Sequence, residues 1–76
     1  MINEKKIKLK ETNDVKEFVK TAEQFDFDID VFYNRVIIDA KSILGVLSLD
    51  LSKTLTVQYS ENDPVFEKKI EKFCIA

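Results

Sequence analysis

Histidine and tryptophan are absent from the 76-residue sequence, and glycine, proline, cysteine and methionine occur once each. The lack of histidine removes the default general base, the commonest metal ligand and the usual phosphoryl-accepting imidazole. The lone cysteine, Cys74, excludes an internal disulfide and with it a stapled secreted mini-protein. The lone Gly45 and Pro64 exclude collagen-like, linker-like and loop-dominated chains. No apolar run approaches membrane-spanning length, and Met1 to Lys10 is too polar for a signal peptide. A cytoplasmic protein with no membrane contact is the simplest expectation. Charge of neither sign dominates: the formal net charge is −2, so nucleic acid is not attracted globally. No Walker loop, dinucleotide fingerprint or metal-ligand spacing occurs, and no cofactor is expected.

What remains is an ordinary globular composition, 45% apolar and 34% charged. The length suits a single domain over residues 1–76 and leaves nothing for a second. Stability must come from apolar packing alone and is expected to be modest.

Ile7 and Leu9 alternate with Lys6, Lys8 and Lys10, the pattern of a short strand with one wet face. Thr12, Asn13 or Asp14 then offers a helix cap, with Glu17 in the first turn. Val15, Phe18, Val19, Ala22 and Phe25 recur at helical spacing, opposite Lys16, Glu17, Lys20 and Glu23. The period next becomes two: Phe27, Ile29, Val31 and Tyr33 predict a half-buried strand, with Phe32 on its other face. Asn34-Arg35 predicts a hairpin turn and Val36 to Ala40 the returning strand. Ser42 is placed to cap a short helix carrying Ile43, Leu44, Val46 and Leu47. Leu55, Val57 and Tyr59 alternate as a fourth strand. Asn62 or Asp63 caps a last helix with Pro64 near its first position, and Phe66, Ile70, Phe73 and Cys74 form its buried stripe. The order β-α-β-β-α-β-α predicts an α+β two-layer open-faced sandwich: a four-stranded, mostly antiparallel sheet covered on one face by helices.

Most chemistry-bearing residues have ordinary structural roles. Asp26, Asp28 and Asp30 have the first spacings of a calcium loop, but Val31 stands where such a loop needs glycine, and Ile37 where it needs glutamate. A solvated strand face fits them better. Cys74 has no histidine to activate it and reads as a small core residue. The six phenylalanines, Phe32 excepted, fall on core faces without interleaved arginine, so they pack rather than stack on bases. Lys5, Lys6, Lys8 and Lys10 suit a charged edge strand that discourages strand addition. No nucleophile–base pair can be assembled, and neither a catalytic nor a metal-ligating residue is expected.

Lys41 to Leu49 differs, because it places the only glycine inside a short helix, at a cost of about 1 kcal/mol relative to alanine. Its apolar residues also exceed what one buried face can take. An outward face of Ile43, Leu44 and Leu47 beside Ser42, with Val46 and Leu49 inward, makes a docking surface. The same spacing also suits a plain buried helix.

This segment closely resembles the regulatory-serine signature of HPr, the phosphocarrier protein of the bacterial sugar phosphotransferase system. The resemblance runs from Thr21-Ala22 through Phe25-Asp26, Asp28-Ile29, Tyr33-Asn34 and Lys41-Ser42 to Leu49, with Ser-x-x-Gly-x-x-Ser-Leu its most specific part. It implies the same element order. It also implies that Ser42 corresponds to the serine phosphorylated by a dedicated kinase in some members. Ile43, Leu44 and Leu47 correspond to the apolar patch presented to enzyme I, the serine kinase and a transcriptional regulator. Departures are equally informative. The family's phosphoryl acceptor is a histidine before the first helix, followed by arginine and proline; here that loop is shortened, and the only arginine and proline are Arg35 and Pro64. Glu11 or Asp14 could in principle form an acyl phosphate, but neither has an activating neighbour in the sequence. The expectation is a member lacking the active-site histidine: a non-enzymatic, protein-binding regulator switched at Ser42. The alternative is an adaptor or scaffold module with no phosphoryl chemistry.

Overall fold

The computed structural model describes residues 2–75. In chain order its elements are β1 (Asn3–Ile7), α1 (Thr12–Glu23), β2 (Ile29–Tyr33), β3 (Val36–Asp39), α2 (Ile43–Leu47), β4 (Leu55–Tyr59) and α3 (Pro64–Ile70). A 3₁₀ turn, Glu71–Phe73, follows α3. The four strands lie in the order β1-β4-β2-β3 and every pairing is antiparallel, so the expected open-faced sandwich is found. Leu55, Val57 and Tyr59 of the inner strand β4 are fully buried, as are Ile29 and Val31 of β2, because they face the helices. Val15, Phe18, Val19 and Ala22 of α1 and Phe66 and Ile70 of α3 close over them. No helix among the described residues is long and apolar enough to cross a membrane.

Several boundaries move for local reasons. The first strand starts earlier than its alternation suggests and ends at Ile7, whose partner Leu55 is the first residue of β4. Leu9 is completely buried yet lies outside the strand, because the register with β4 ends at Leu55; Lys8 N–H instead donates to Phe73 C=O of the C-terminal segment at 2.9 Å. The cap of α1 is Glu11 rather than Thr12, Asn13 or Asp14. Asp14 acts from within the first turn, its carboxylate accepting from the N–H groups of Lys10 (3.0 Å) and Glu11 (3.3 Å). Phe27 precedes β2 rather than belonging to it, and packs edge-on against Phe66 at 5.6 Å between centroids.

The hairpin falls at Asn34-Arg35, closed by Tyr33 opposite Val36. Asn34, at φ 55°, is the only described residue with positive φ. Arg35 therefore needs no left-handed backbone, and the turn forms without glycine. Asp63 is the cap of α3: its carboxylate accepts from Val65 N–H at 2.8 Å and Phe66 N–H at 3.2 Å, with Pro64 at the first position. Cys74 is off the helical stripe. After the 3₁₀ turn it sits in extended backbone bridging Ile7, half-buried against the core. Burial pushes its thiol pKa up, which disfavours the thiolate.

Candidate docking surface around Ser42

Ser42 leaves β3 in an extended conformation, with φ −100° and ψ 104°, and its Oγ accepts from Gly45 N–H at 3.2 Å. Its carbonyl accepts from Val46 N–H at 2.9 Å, so one residue caps the helix and starts it. Ser48 closes the far end, with its hydroxyl donating to Gly45 C=O at 2.6 Å. Between these serines a single turn of helix has one buried contact with the core, Val46.

That brevity decides the surface. Val46 and Leu49 are buried, whereas Leu44 is 79% exposed, Leu47 39% and Ile43 36%. The three residues assigned to an outward face are on one, and the plain buried helix is excluded.

Gly45 is explained by packing rather than by backbone freedom. A Cβ there would stand 2.6 Å from Cγ2 of Ile38 and 3.1 Å from the Ser42 hydroxyl. The missing side chain lets α2 lie directly on β3, which fixes the height at which Leu44 and Leu47 stand above the sheet. The sequence exposes the anomaly of a helical glycine, but not the neighbour it accommodates.

A charged flank was not legible either. Lys16, Val19, Lys20 and Glu23 of α1 form a shallow groove with Ile43 of α2. The two lysines, which the helical period assigns to a solvated face, thus stand beside the apolar patch. Lys41 does not join them: its ammonium donates to Phe27 C=O at 3.0 Å and ties the end of β3 to the entry of β2.

Other candidate groups are committed elsewhere. The β1–α1 connection places Leu9 in the core and ties Asp14 to backbone donors, and Glu11 is exposed at the helix cap. Lys6 donates to Thr56 Oγ1 at 2.8 Å and Lys8 to Ser52 C=O at 2.5 Å. Asp26 and Asp28 are exposed, and the Asp30 carboxyl is pushed up by partial burial and by the nearby charges of Asp39 and Asp28. Among the described residues no group of side chains is arranged to hold a metal ion.

A family described as "PTS HPr component phosphorylation site" matches residues 11–74. The crystal structure of HPr-C-His from Thermoanaerobacter tengcongensis is 30% identical, with a TM-score of 0.65, over 91% of this chain and 83% of that one. A phosphocarrier protein HPr from Bacillus anthracis strain Ames shares the fold at 22% identity and a TM-score of 0.68, over 93% of this chain and 90% of that one. No match is found among curated proteins.

Proposed function

The chain belongs to the HPr family of the phosphotransferase system, and from that premise we propose that it is a regulatory, protein-binding member rather than a histidine phosphocarrier. The observation that carries this reading is a serine-capped helix with an exposed apolar face, Ile43, Leu44 and Leu47, in a chain without histidine. The loop before α1, where the family keeps its acceptor, holds only Lys8 to Glu11 here, with Leu9 turned into the core. The protein acts by binding and not by catalysis, in the cytoplasm. Its partners are an enzyme I-like protein, a serine kinase or a transcriptional regulator. They are engaged through Ile43, Leu44 and Leu47, with Lys16 and Lys20 available to carboxylates at the rim.

Ser42 is the switch in this reading. A phosphate there adds about −1.5 to −2 charges at the edge of the patch. The free N–H groups of the first helical turn tolerate an anion, so the fold survives while recognition changes. A partner with an apolar pocket is repelled, and one offering arginine beside that pocket is recruited. Incubation with enzyme I and phosphoenolpyruvate is expected to leave the protein unlabelled, and acid-labile stoichiometric labelling overturns the proposal. Incubation with a cognate serine kinase is expected to add one phosphate, lost in Ser42→Ala. One observation favours the scaffold alternative: the Ser42 hydroxyl already has a structural task as the acceptor of Gly45 N–H. Kinase treatment that leaves the intact mass unchanged selects that alternative.

A further inference from the structure

The sheet has two edges, β1 and β3, and the chain protects them differently. The β1 edge carries Glu4, Lys5 and Lys6, and its end is covered by the C-terminal segment. There Lys8 N–H donates to Phe73 C=O at 2.9 Å and Ile75 N–H to Lys6 C=O at 3.0 Å. The β3 edge instead presents Val36 and Ile37, which are 50% and 67% exposed. An exposed edge with an apolar centre of this kind is a template for strand addition.

The backbone of Ile37 faces outward. Ala40 N–H donates to Ile29 C=O at 2.9 Å, which makes 29 and 40 a hydrogen-bonded pair. Such pairs alternate along an antiparallel ladder. With Val31 opposite Ile38 and Phe32 opposite Ile37, Ile38 bonds to β2, and the N–H and C=O of Ile37 point out of the sheet. Asp39 C=O shares that direction and is taken by Ser42 N–H at 3.0 Å, which ends the open stretch.

We propose that β3 pairs antiparallel with β3 of a second copy of this chain, about a two-fold axis at Ile37. The charge pattern selects this partner and this register. An axis at Ile37 sets Val36 against Ile38, and Arg35, the only arginine, against Asp39 at both ends of the contact. Arg35 and Asp39 are both exposed. Moving the axis to Val36 or Ile38 sets one of these charges against Ile37 and leaves it unpaired. The apolar pattern agrees. Phe32 and Ile37 are directly opposed on the open face, so the two-fold joins both copies into one row, Phe32–Ile37–Ile37–Phe32. Two backbone bonds hold the centre, each from Ile37 N–H to Ile37 C=O of the second copy. A contact made by one four-residue strand from each copy is small, so association is expected to be weak and reversible.

Sedimentation equilibrium at rising concentration, with dilution followed by amide NMR, tests this. The expected result is a monomer–dimer equilibrium whose concentration-dependent shifts centre on Arg35 to Asp39. Arg35→Glu and Asp39→Lys each set like charges together at both ends and are expected to weaken association about tenfold or more. Their equimolar mixture restores it, because each reversed charge then meets its opposite. Asp39→Lys also loses the carboxylate bond to Lys41 N–H at 2.9 Å, so its β2–β3 amides are checked first. Ile37→Pro gives an independent arm: it deletes the outward donor without removing a bond to β2. A monomer at every concentration, shifts centred on Ile43 to Leu47, or no recovery on mixing overturns the proposal.

Discussion

Replacing Gly45 by alanine tests whether tight packing or helix propensity governs the position of α2. In an unpacked helix the change stabilises by about 1 kcal/mol, since glycine carries more backbone entropy to lose. Here the new Cβ would stand 2.6 Å from Ile38 Cγ2, far inside ordinary contact. Cγ2 is fixed to the branch point of a β-branched side chain on a strand, so it cannot swing away. Either α2 rises from the sheet or β3 bends, at an overpacking cost of about 1–3 kcal/mol. The net expectation is a destabilisation of about 0–2 kcal/mol, with Tm falling by about 4–8 °C for each kcal/mol in a domain of this size. The cycle with Ile38→Ala isolates the cause. Once Cγ2 is gone, Gly45→Ala should regain its propensity and become stabilising by about 1 kcal/mol, a sign change diagnostic of direct coupling. Urea unfolding of the four proteins measures it. A Gly45→Ala protein more stable than its parent, with Ile38 intact, refutes the packing argument. The same variant should also weaken partner binding, because lifting α2 displaces Leu44 and Leu47 together.

Leu44→Asp or Leu47→Asp should leave the melting temperature within a few degrees, since Leu44 stands largely in solvent and Leu47 partly so, yet lower partner affinity at least tenfold through an unpaired buried charge. Calorimetric titration beside thermal unfolding checks both halves, and unfolding by either change would return the residue to the core. Tyr59 supplies a pH dependence. Its buried hydroxyl donates to Glu67 at 2.5 Å, and burial, with the Glu67 contact, pushes its pKa well above the ordinary tyrosine value. The folded state thus holds that proton more tightly than the unfolded chain, so this contribution is intact below about pH 10 and is lost as pH rises further. Urea unfolding between neutral and strongly alkaline pH should show Tyr59→Phe less stable at neutrality and less steep in its alkaline decline. Parallel declines for the two proteins would contradict it.

The fold was legible because each element carried its period and its punctuation. The strand alternation of Leu55, Val57 and Tyr59, the α1 stripe from Val15 to Ala22 and the Asp63-Pro64 start of α3 lie where the sequence places them, whereas Phe25, expected on that stripe, falls past the end of α1 at Glu23. Errors fell where burial and hydrogen bonding part company. Leu9 and Phe27 are apolar at strand-like spacing, yet both are held by packing outside the ladder, since periodicity reports which side chains face inward and not which backbone groups are paired. Cys74 failed for the converse reason: a helical stripe continued in sequence after the chain had tightened into a 3₁₀ turn and become extended.

The exposed apolar patch was legible only as an excess. A five-residue helix with four apolar side chains cannot bury them all, so exposure of Ile43, Leu44 and Leu47 follows from its shortness. Three further properties needed the third dimension. The lysines beside Ile43 come from a helix some twenty-five residues earlier in the chain, and only the packing of α1 on α2 makes them neighbours. The Gly45 requirement depends on a methyl group of β3 beneath it. The outward backbone of Ile37 depends on ladder parity, which one bond from Ala40 fixes. Two of these bear on the same strand from perpendicular directions. Gly45 seats the helix on the inner face of β3 at Ile38, while Ile37 turns its peptide groups out of the sheet at the next residue. Occupying the edge therefore need not cover the patch on α2. The two surfaces can be tested separately, because Arg35→Glu leaves Leu44 and Leu47 untouched and Leu44→Asp leaves the β3 charges in place.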